Sequence, residues 1–256
     1  MFKKKIKVQN IPIILEAGLN HLGNEKKAKK YLDFFLKSKY KKMTFQINTL
    51  EYYRKNPHQL SDAFYRKAIR LANSKNKKIG LAVCDPENFK NYTNFGFHFF
   101  KLLSIGIKSD KLIGLLKKTK KEVYISLGVA DESSIKNCLN KFGRKSKLRL
   151  AYTNLSYDPK DLNLKEIKNL KKKFKLEVGY GHHYKNEIPI ILSSILNCDF
   201  IFIYVKSKII NKFDKNLPDD LHAFDLNDLW KIHLKLNEVN ELFKNRKTNR
   251  RIKIFD

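Results

Sequence analysis

A carboxylate, an amide and an imidazole lie close together in the segment Glu16-Ala17-Gly18-Leu19-Asn20-His21-Leu22-Gly23. The segment follows the apolar stretch Ile11 to Leu15 and precedes a helical pattern from Glu25 to Leu36. Its polar groups therefore emerge where a buried strand ends and its loop begins. In a chain that alternates strands and helices, active sites are built at such positions. The segment thus predicts a functional site around Glu16.

A second candidate for chemistry is Lys101, which lies among apolar residues. Its neighbours in the chain are Phe97, Phe99, Phe100, Leu102 and Leu103. A buried ammonium group needs an anionic partner, because an unpaired charge is costly to remove from water. Either a phosphate group of a ligand or the carboxylate of Glu16 can supply that partner.

The overall composition predicts a soluble globular protein. Hydrophobic residues make up 42% of the 256 residues and charged residues 31%. No apolar run approaches the roughly 18 residues of a membrane span. The apolar stretch after the first lysines is short and interrupted, which argues against a signal peptide. Three widely spaced cysteines, Cys84, Cys138 and Cys198, form no metal-binding or CxxC pattern, so we expect a reduced, cytoplasmic protein.

The net charge of +29 arises from 54 Lys and Arg against 25 Asp and Glu. Lysine is spread over almost every predicted helix, which is typical of a solvated surface that also attracts anions. A concentrated basic segment occurs only near the C-terminus, from Lys244 to Lys253. Nucleic-acid binding through this segment is therefore a third and weaker hypothesis, since no RNA- or DNA-reading motif accompanies it.

Short apolar or β-branched runs alternate with longer amphipathic ones, a pattern typical of a parallel sheet with crossover helices. We predict strands at 11–16, 42–47, 78–83, 97–103, 122–127, 147–152, 176–179 and 200–205. We predict helices at 25–38, 60–73, 86–94, 109–118, 131–142, 164–174, 188–196 and 226–243, several with caps such as Asn24, Ser109, Asp131 and Asn163.

Eight strands, each followed by a helix, predict an α/β protein with a single (β/α)8 TIM barrel. We assign residues 1–243 to the barrel and residues 244–256 to a basic C-terminal tail. An open doubly wound sheet is the alternative, but the chain contains no GxGxxG motif that would support it.

Seven short motifs follow in chain order, six of them at the predicted strands and the last just before the final predicted helix. After the segment at 16–23 come Thr44-Phe45-Gln46, Phe100-Lys101-Leu102-Leu103-Ser104, Ile125-Ser126-Leu127-Gly128-Val129-Ala130, Thr153-Asn154, Val178-Gly179-Tyr180-Gly181-His182-His183 and His222-Ala223-Phe224-Asp225-Leu226. Together they resemble the motifs of the sialic acid (nonulosonic acid) synthase family. The resemblance covers the chain from about Ile11 to Phe243, and its specificity lies in the order and spacing of the seven matches.

The resemblance implies an enzyme of carbohydrate biosynthesis. Such synthases condense phosphoenolpyruvate with an N-acetylated amino sugar, with a divalent metal, Mn or Mg, that polarises the sugar's carbonyl group. Glu16 matches a carboxylate that contacts the sugar, and Lys101 and Ser104 match groups that bind phosphoenolpyruvate. Asn154 matches a ligand-binding amide, and His183 one of two metal-binding histidines. Further candidate substrate contacts are Asn20, His21, Gln46 and Tyr180, although the Asn20-His21 pair also suits a loop-fixing role.

The sequence departs from the family pattern at several of these positions. Thr44 stands where the family has a lysine, Ala82 where it has a threonine, and Gly106 where it has a carboxylate. Gly181 replaces a serine, Ser156 replaces a tyrosine, and Tyr204 replaces the second metal-binding histidine. His182 is a poor substitute for that histidine, because adjacent residues of a strand point to opposite sides. The antifreeze-like domain that usually follows the family's barrel is also not expected within this sequence.

Two hypotheses for function follow from this pattern. The first is an active synthase that uses phosphoenolpyruvate and an amino sugar. The second is an inactive homologue that acts as a sugar-binding or assembly partner, for example of a true synthase. A homodimer is compatible with either hypothesis, and neither involves a membrane.

Overall fold

Eight parallel strands form a closed ring in the computed structural model, which describes residues 11–207 and 217–243. Each strand pairs with the next, and the first pairs with the eighth through registers such as Glu16 with Tyr204. The predicted TIM barrel is therefore confirmed. The strands are β1 Ile13–Glu16, β2 Lys42–Gln46, β3 Lys78–Val83, β4 Phe99–Leu102, β5 Glu122–Ser126, β6 Leu148–Thr153, β7 Glu177–Gly181 and β8 Ile201–Lys206, with a short β9 Phe224–Asp225 beside β8.

Helices surround this ring between successive strands. They are α1 Glu25–Lys37, α2 Leu50–Lys55, α3 Asp62–Ser74, α4 Pro86–Phe89, α5 Asp110–Lys118, α6 Glu132–Phe142, α7 Glu166–Phe174, α8 Ile188–Ile195 and α9 Leu229–Phe243. None of the helices in the described ranges is both long and apolar enough to cross a membrane. The predicted basic tail at 244–256 lies outside the described residues, as do 1–10 and 208–216 of the predicted barrel.

The helix ends follow the predicted capping residues with one exception. The Asn24 side chain accepts hydrogen bonds from the backbone of Lys26 and Lys27, and Asp131 caps α6 in the same manner. The cap predicted at Asn163 is wrong, because α7 begins after Lys165 and has no side-chain cap. The α2 helix was not predicted, since it buries none of its residues and so leaves no apolar periodicity in the sequence.

The largest core lies between the outer face of the ring and the helices. Helix α1 shows how the sequence builds it, because its buried residues Ala28, Tyr31, Leu32 and Phe35 recur at the spacing of one helical face. On the strand side, Phe45 of β2 packs edge-on against Phe64 of α3, with ring centroids 5.4 Å apart. Side chains on the outer faces of the strands thus pack against the helices, and side chains on the inner faces fill the barrel.

A second, aromatic core fills the middle of the barrel. It consists of Ile14, Phe99, Tyr124, Ala151, Phe200 and Phe202. Glycines on neighbouring strands make room for these rings: a Cβ atom at Gly80 would overlap Phe99, and one at Gly179 would overlap Phe200. The interior is therefore packed solid at mid-height.

A network of charges closes the N-terminal end of the barrel. The Lys42 ammonium lies 2.6 Å from Glu122 Oε2, and Arg149 Nε lies 2.7 Å from Glu122 Oε1. Arg149 also pairs with Glu177 from β7. With this end closed and the middle filled, the third layer of inward side chains, at the C-terminal ends of the strands, is where a ligand site can form.

Candidate active site

A buried ion pair between Glu16 and Lys101 occupies the centre of this third layer. The Lys101 ammonium donates to both carboxylate oxygens of Glu16, each at 2.7 Å, and the two side chains are only 2% and 1% exposed. Glu16 is the last residue of β1, and Lys101 lies in β4, so closure of the ring brings them together. The Thr44 hydroxyl donates a long hydrogen bond of 3.4 Å to Glu16 Oε1. The anionic partner that the sequence requires for Lys101 is thus Glu16.

Aromatic rings surround the ammonium group of this pair. Lys101 Nζ lies 4.6 Å from the centre of the Phe202 ring and 5.5 Å from that of Tyr204. Burial raises the pKa of the Glu16 carboxyl above its ordinary value, while the nearby Lys101 charge opposes that rise. Burial and the Glu16 charge also hold the pKa of the Tyr204 phenol well above its usual range. Tyr204 is therefore a neutral lining group.

A cluster of imidazole and phenol rings lies beside the ion pair. The rings of His183 and His222 are 4.3 Å apart, and Tyr204 lies 5.1 Å from His183 and 4.8 Å from His222. His222 Nδ1 is 2.9 Å from the Tyr157 hydroxyl, and its Nε2 is 3.6 Å from Asp219 Oδ1. Burial, with smaller effects of His222 and Lys101, lowers the pKa of His183 well below its usual value. His183 is consequently a neutral imidazole near pH 7.

These donors do not fit the divalent metal that the resemblance implies. Across the described ranges, no three His, Cys, Asp or Glu side chains converge in a way that could hold a metal ion. The Tyr204 phenol stays protonated, which makes it a poor ligand beside His183. His182 does not replace it, because its ring packs at 5.2 Å from Phe224 and 5.8 Å from Tyr180. Adjacent histidines thus face opposite sides of β7, as the alternation of strand side chains predicts.

Two further predicted residues lie at the same end of the barrel. Ser104 follows β4 and is 9% exposed, and a Cβ atom on Gly128 would come within 3.2 Å of its hydroxyl. Gln46 ends β2 two residues after Thr44, on the same inward face of the strand. Ser104 and Gln46 thus lie at the same end of the barrel as the Glu16–Lys101 pair, and their contact with a ligand stays a prediction.

Asn20 and Asn154 use their side chains to hold loops. The Asn20 amide donates to the backbone oxygen of Val205 and accepts from the backbone of Asp219, each at 3.0 Å. The Asn154 amide donates to the backbone oxygen of Asp161 and accepts from the backbone of Ser156. Asn20 thereby positions Asp219 in the cluster, whereas Asn154 stabilises the β6–α7 loop.

His21 and Tyr180 lie on the helix-facing side of the ring. The His21 ring is fully buried near Phe45, with Nδ1 accepting from the backbone of Gly23. Tyr180 is buried in the outer core beside Tyr152. The structure thus places these two predicted contacts away from Glu16 and Lys101, and their role in substrate binding stays a prediction.

Two residues of the cluster, Asp219 and His222, were not among the predicted site residues. Aspartates in loops are usually solvated, so Asp219 gave no specific signal in the sequence. His222 begins one of the seven motifs, but its distance from the others in the chain hides its contact with His183. The contact becomes visible in the structure, where the pairing of β9 with β8 brings His222, just before β9, next to His183.

The fold and the mouth of the barrel together define a TIM-barrel protein with a buried polar centre at the C-terminal ends of its strands, the end where the active sites of such barrels lie. A model of the NeuB family matches residues 22–201, and the chain belongs to that family. This result confirms the resemblance to sialic acid synthases read from the seven motifs.

The chain is similar to several known proteins. It is 26% identical over 214 residues to N,N'-diacetyllegionaminic acid synthase of Campylobacter jejuni, covering 72% of this chain and 63% of that protein. The chain thus spans less than two thirds of the length of this relative. A crystal structure of N-acetylneuraminic acid synthetase from Leptospira borgpetersenii matches 96% of this chain and 89% of its own, with a TM-score of 0.81 and 22% identity.

A spore coat polysaccharide biosynthesis protein of Bacillus subtilis has the same fold. Its crystal structure matches 93% of this chain and 72% of its own, with a TM-score of 0.73 and 16% identity. At such low identities the structural likeness establishes the barrel, while the family assignment depends on the sequence model.

Proposed function

We propose that the protein is a sialic acid synthase-like enzyme of surface carbohydrate biosynthesis. In the proposed reaction, the methylene carbon of phosphoenolpyruvate forms a bond with the carbonyl carbon of an N-acetylated amino sugar. Water adds at the former enol carbon, and inorganic phosphate leaves. The products are a nonulosonic acid and phosphate. Membership in the family and the similarity to a legionaminic acid synthase support this assignment.

The observation that carries the proposal is the position of Lys101. A lysine that is 1% exposed, inside the barrel and near the C-terminal ends of the strands, serves no solvated surface role. Positive charge held in a water-poor site stabilises an anionic substrate and the charge that develops as phosphate departs. Lys101 therefore suits the phosphoenolpyruvate half of the reaction, with Ser104, two residues beyond the end of β4, as a hydroxyl donor.

Glu16 suits the sugar half of the reaction. Its carboxylate can accept hydrogen bonds from sugar hydroxyl groups, and Gln46 on the neighbouring strand offers an amide for the same purpose. The donors at His183 do not fit a metal, so we route no step through one. In the proposed reaction, the side chains named above bind and orient the two substrates.

The test is an assay of phosphate release from phosphoenolpyruvate in the presence of N-acetylated amino sugars, with the nonulosonic acid product identified by mass spectrometry. We expect product with the native protein and loss of at least 100-fold in rate in Lys101→Met. A matched control is Lys42→Met, which removes a lysine from the opposite end of the same barrel. If the native protein releases no more phosphate than Lys101→Met does, the proposed reaction is wrong.

A further inference from the structure

We propose that Glu16 is a specificity-determining residue that competes directly with anionic ligands for Lys101. In the structure the carboxylate occupies the position that a ligand anion would take beside the ammonium group. This inference rests on the proposed function only in that phosphoenolpyruvate is one of the anions tested.

The competition follows from how the ammonium group is surrounded. A lysine offers three N–H donors, and here the two carboxylate oxygens of Glu16 both accept from Lys101 at 2.7 Å. Nζ also lies over the faces of Phe202 and Tyr204, which attract a cation but accept no ordinary hydrogen bond. Because the Lys101 side chain is only 1% exposed and a single N–H donor is left over, a ligand anion that accepts from more than one donor must displace an oxygen of Glu16.

Displacement leaves Glu16 in surroundings that stabilise its charge much less than Lys101 does. The groups facing it are Thr44 from β2, Tyr204 from β8, and Asp219 and His222 from the segment before β9. Asp219 repels the carboxylate by more than His222 attracts it. The Tyr204 phenol is neutral, and the Thr44 hydroxyl contact is long at 3.4 Å. A buried carboxyl group that loses its cation favours the protonated form. Binding of an anion at Lys101 should therefore be accompanied by uptake of a proton at Glu16.

This arrangement selects among anions. A ligand is bound only if its attraction to Lys101 exceeds that of the carboxylate it replaces, so a doubly charged phosphate group is favoured over a single carboxylate. Glu16 thus raises the strength of attraction to Lys101 that an anion needs in order to bind at the mouth of the barrel. Removal of the Glu16 charge should therefore raise the affinity for phosphate-bearing ligands in general.

The experiment is isothermal titration calorimetry with phosphoenolpyruvate and, separately, with inorganic phosphate. Each titration is run in two buffers of different ionisation enthalpy, so that the protons exchanged per ligand are measured. The variants are the native chain, Glu16→Gln, Glu16→Gln combined with Lys101→Met, and Glu122→Gln. The last is a matched control, because it also removes one paired carboxylate from inside the barrel, next to Lys42 and Arg149 at the other end.

We expect Glu16→Gln to bind both anions at least 10-fold more tightly than the native chain, and Glu122→Gln to bind like the native chain. The double variant should lose the gain, because Lys101 provides it. The native chain should take up about one proton more per bound anion than Glu16→Gln does. Protons exchanged by the ligand itself are common to both proteins and cancel in this difference.

Equal affinities and equal proton counts in the native chain and Glu16→Gln would overturn the inference, as would absence of any anion binding to Glu16→Gln. If both proteins bind phosphoenolpyruvate equally, the proposed function keeps its ligand and only the competition fails. If Glu16→Gln gains affinity for inorganic phosphate while neither protein binds phosphoenolpyruvate, the competition stands and the proposed function fails. Should Glu16→Gln not fold, Glu16→Asp provides the test, since its shorter side chain weakens the contact with Lys101 and should give a smaller gain in the same direction.

Discussion

The ammonium group of Lys101 lies 4.6 Å from the centre of the Phe202 ring and 2.7 Å from the carboxylate of Glu16. Phe202 belongs to β8 and Lys101 to β4, so the contact spans the interior of the barrel. The ring also packs edge-on against Tyr124, 5.1 Å away, in the aromatic core below. Phe202 therefore joins the charged upper layer to the apolar middle layer.

Replacement of Phe202 by leucine should destabilise the protein more than the same change at Phe200. Both rings are buried in the interior core, so both variants leave a similar cavity. Only Phe202 also faces the Lys101 charge, and a desolvated cation–π contact contributes roughly 1–2 kcal/mol. Urea unfolding should show Phe202→Leu losing about that much more free energy of unfolding than Phe200→Leu. This difference between the two leucine variants should vanish when both are made in a protein that also carries Glu16→Gln and Lys101→Met. If the difference persists in that protein, packing alone causes it.

Loss of one partner of the buried pair should be far more damaging than loss of both. Lys101→Met leaves a charged carboxylate at Glu16 buried without its cation, which typically costs about 3–5 kcal/mol. Combining it with Glu16→Gln removes the stranded charge and should restore much of that free energy. We expect this order of stabilities in denaturant unfolding at pH 7. A double variant as unstable as Lys101→Met would show that the charge of Glu16 is not the cause.

The same variant has a characteristic dependence on pH. Without Lys101, burial holds the pKa of the Glu16 carboxyl above its unfolded value, so the folded state binds more protons than the unfolded state does. The free energy of unfolding of Lys101→Met, relative to the native chain, should therefore improve as the pH falls from 7 towards 5. An unchanged difference across this range would contradict the assignment.

Burial of His21 should make the fold sensitive to acid. Burial is the main cause that lowers the pKa of His21 to about 3 in the folded protein, against an unfolded value near 6.5. Between these two values the unfolded state binds more protons, so stability falls as the pH is lowered, by up to about 1.4 kcal/mol per pH unit for this one group. His21→Asn should flatten the slope of unfolding free energy against pH by about that amount, whatever its effect on absolute stability.

His98 provides the matched control for this measurement. Its Nδ1 also accepts from a backbone N–H group, that of Ile79 at 3.1 Å, but the ring is only partly buried. His98→Asn should therefore change the slope less than His21→Asn does. Equal slopes in the two variants would show that burial of His21 is not what opposes its protonation.

The sequence predicted all eight barrel strands to within about two residues at each end because their apolar, β-branched runs are sharply bounded by polar loops. The prediction failed for α2, whose residues are all at least partly exposed and carry no periodic signal. Motif spacing likewise placed Tyr180 at the correct strand but could not show which side it faces. Gly179 and Gly181, its neighbours in β7, point into the barrel, so Tyr180 must point out.

Contacts across the barrel were the least accessible to sequence reasoning. The need of Lys101 for an anionic partner follows from its apolar neighbours in the chain, but the choice between a ligand and Glu16 depends on how the ring closes. The contact between His183 and His222 depends in turn on the path of the chain after β8. Such relationships arise from closure of the ring and from loop positions, which local patterns do not encode.

Tyr204 offers a direct test of whether one side chain accounts for the poor fit of a metal. Its ring lies 5.1 Å from His183, and its neutral phenol is a weak ligand at neutral pH. Tyr204→His should place a second imidazole beside His183 and create a measurable site for Mn²⁺. We expect at least a 10-fold gain in affinity, measured by titration with Mn²⁺ and electron paramagnetic resonance of the free ion. Tyr92→His, in the outer aromatic core, adds a histidine remote from His183 and should give no gain. If Tyr204→His folds but binds Mn²⁺ no better than Tyr92→His does, Tyr204 alone does not account for the poor fit of a metal.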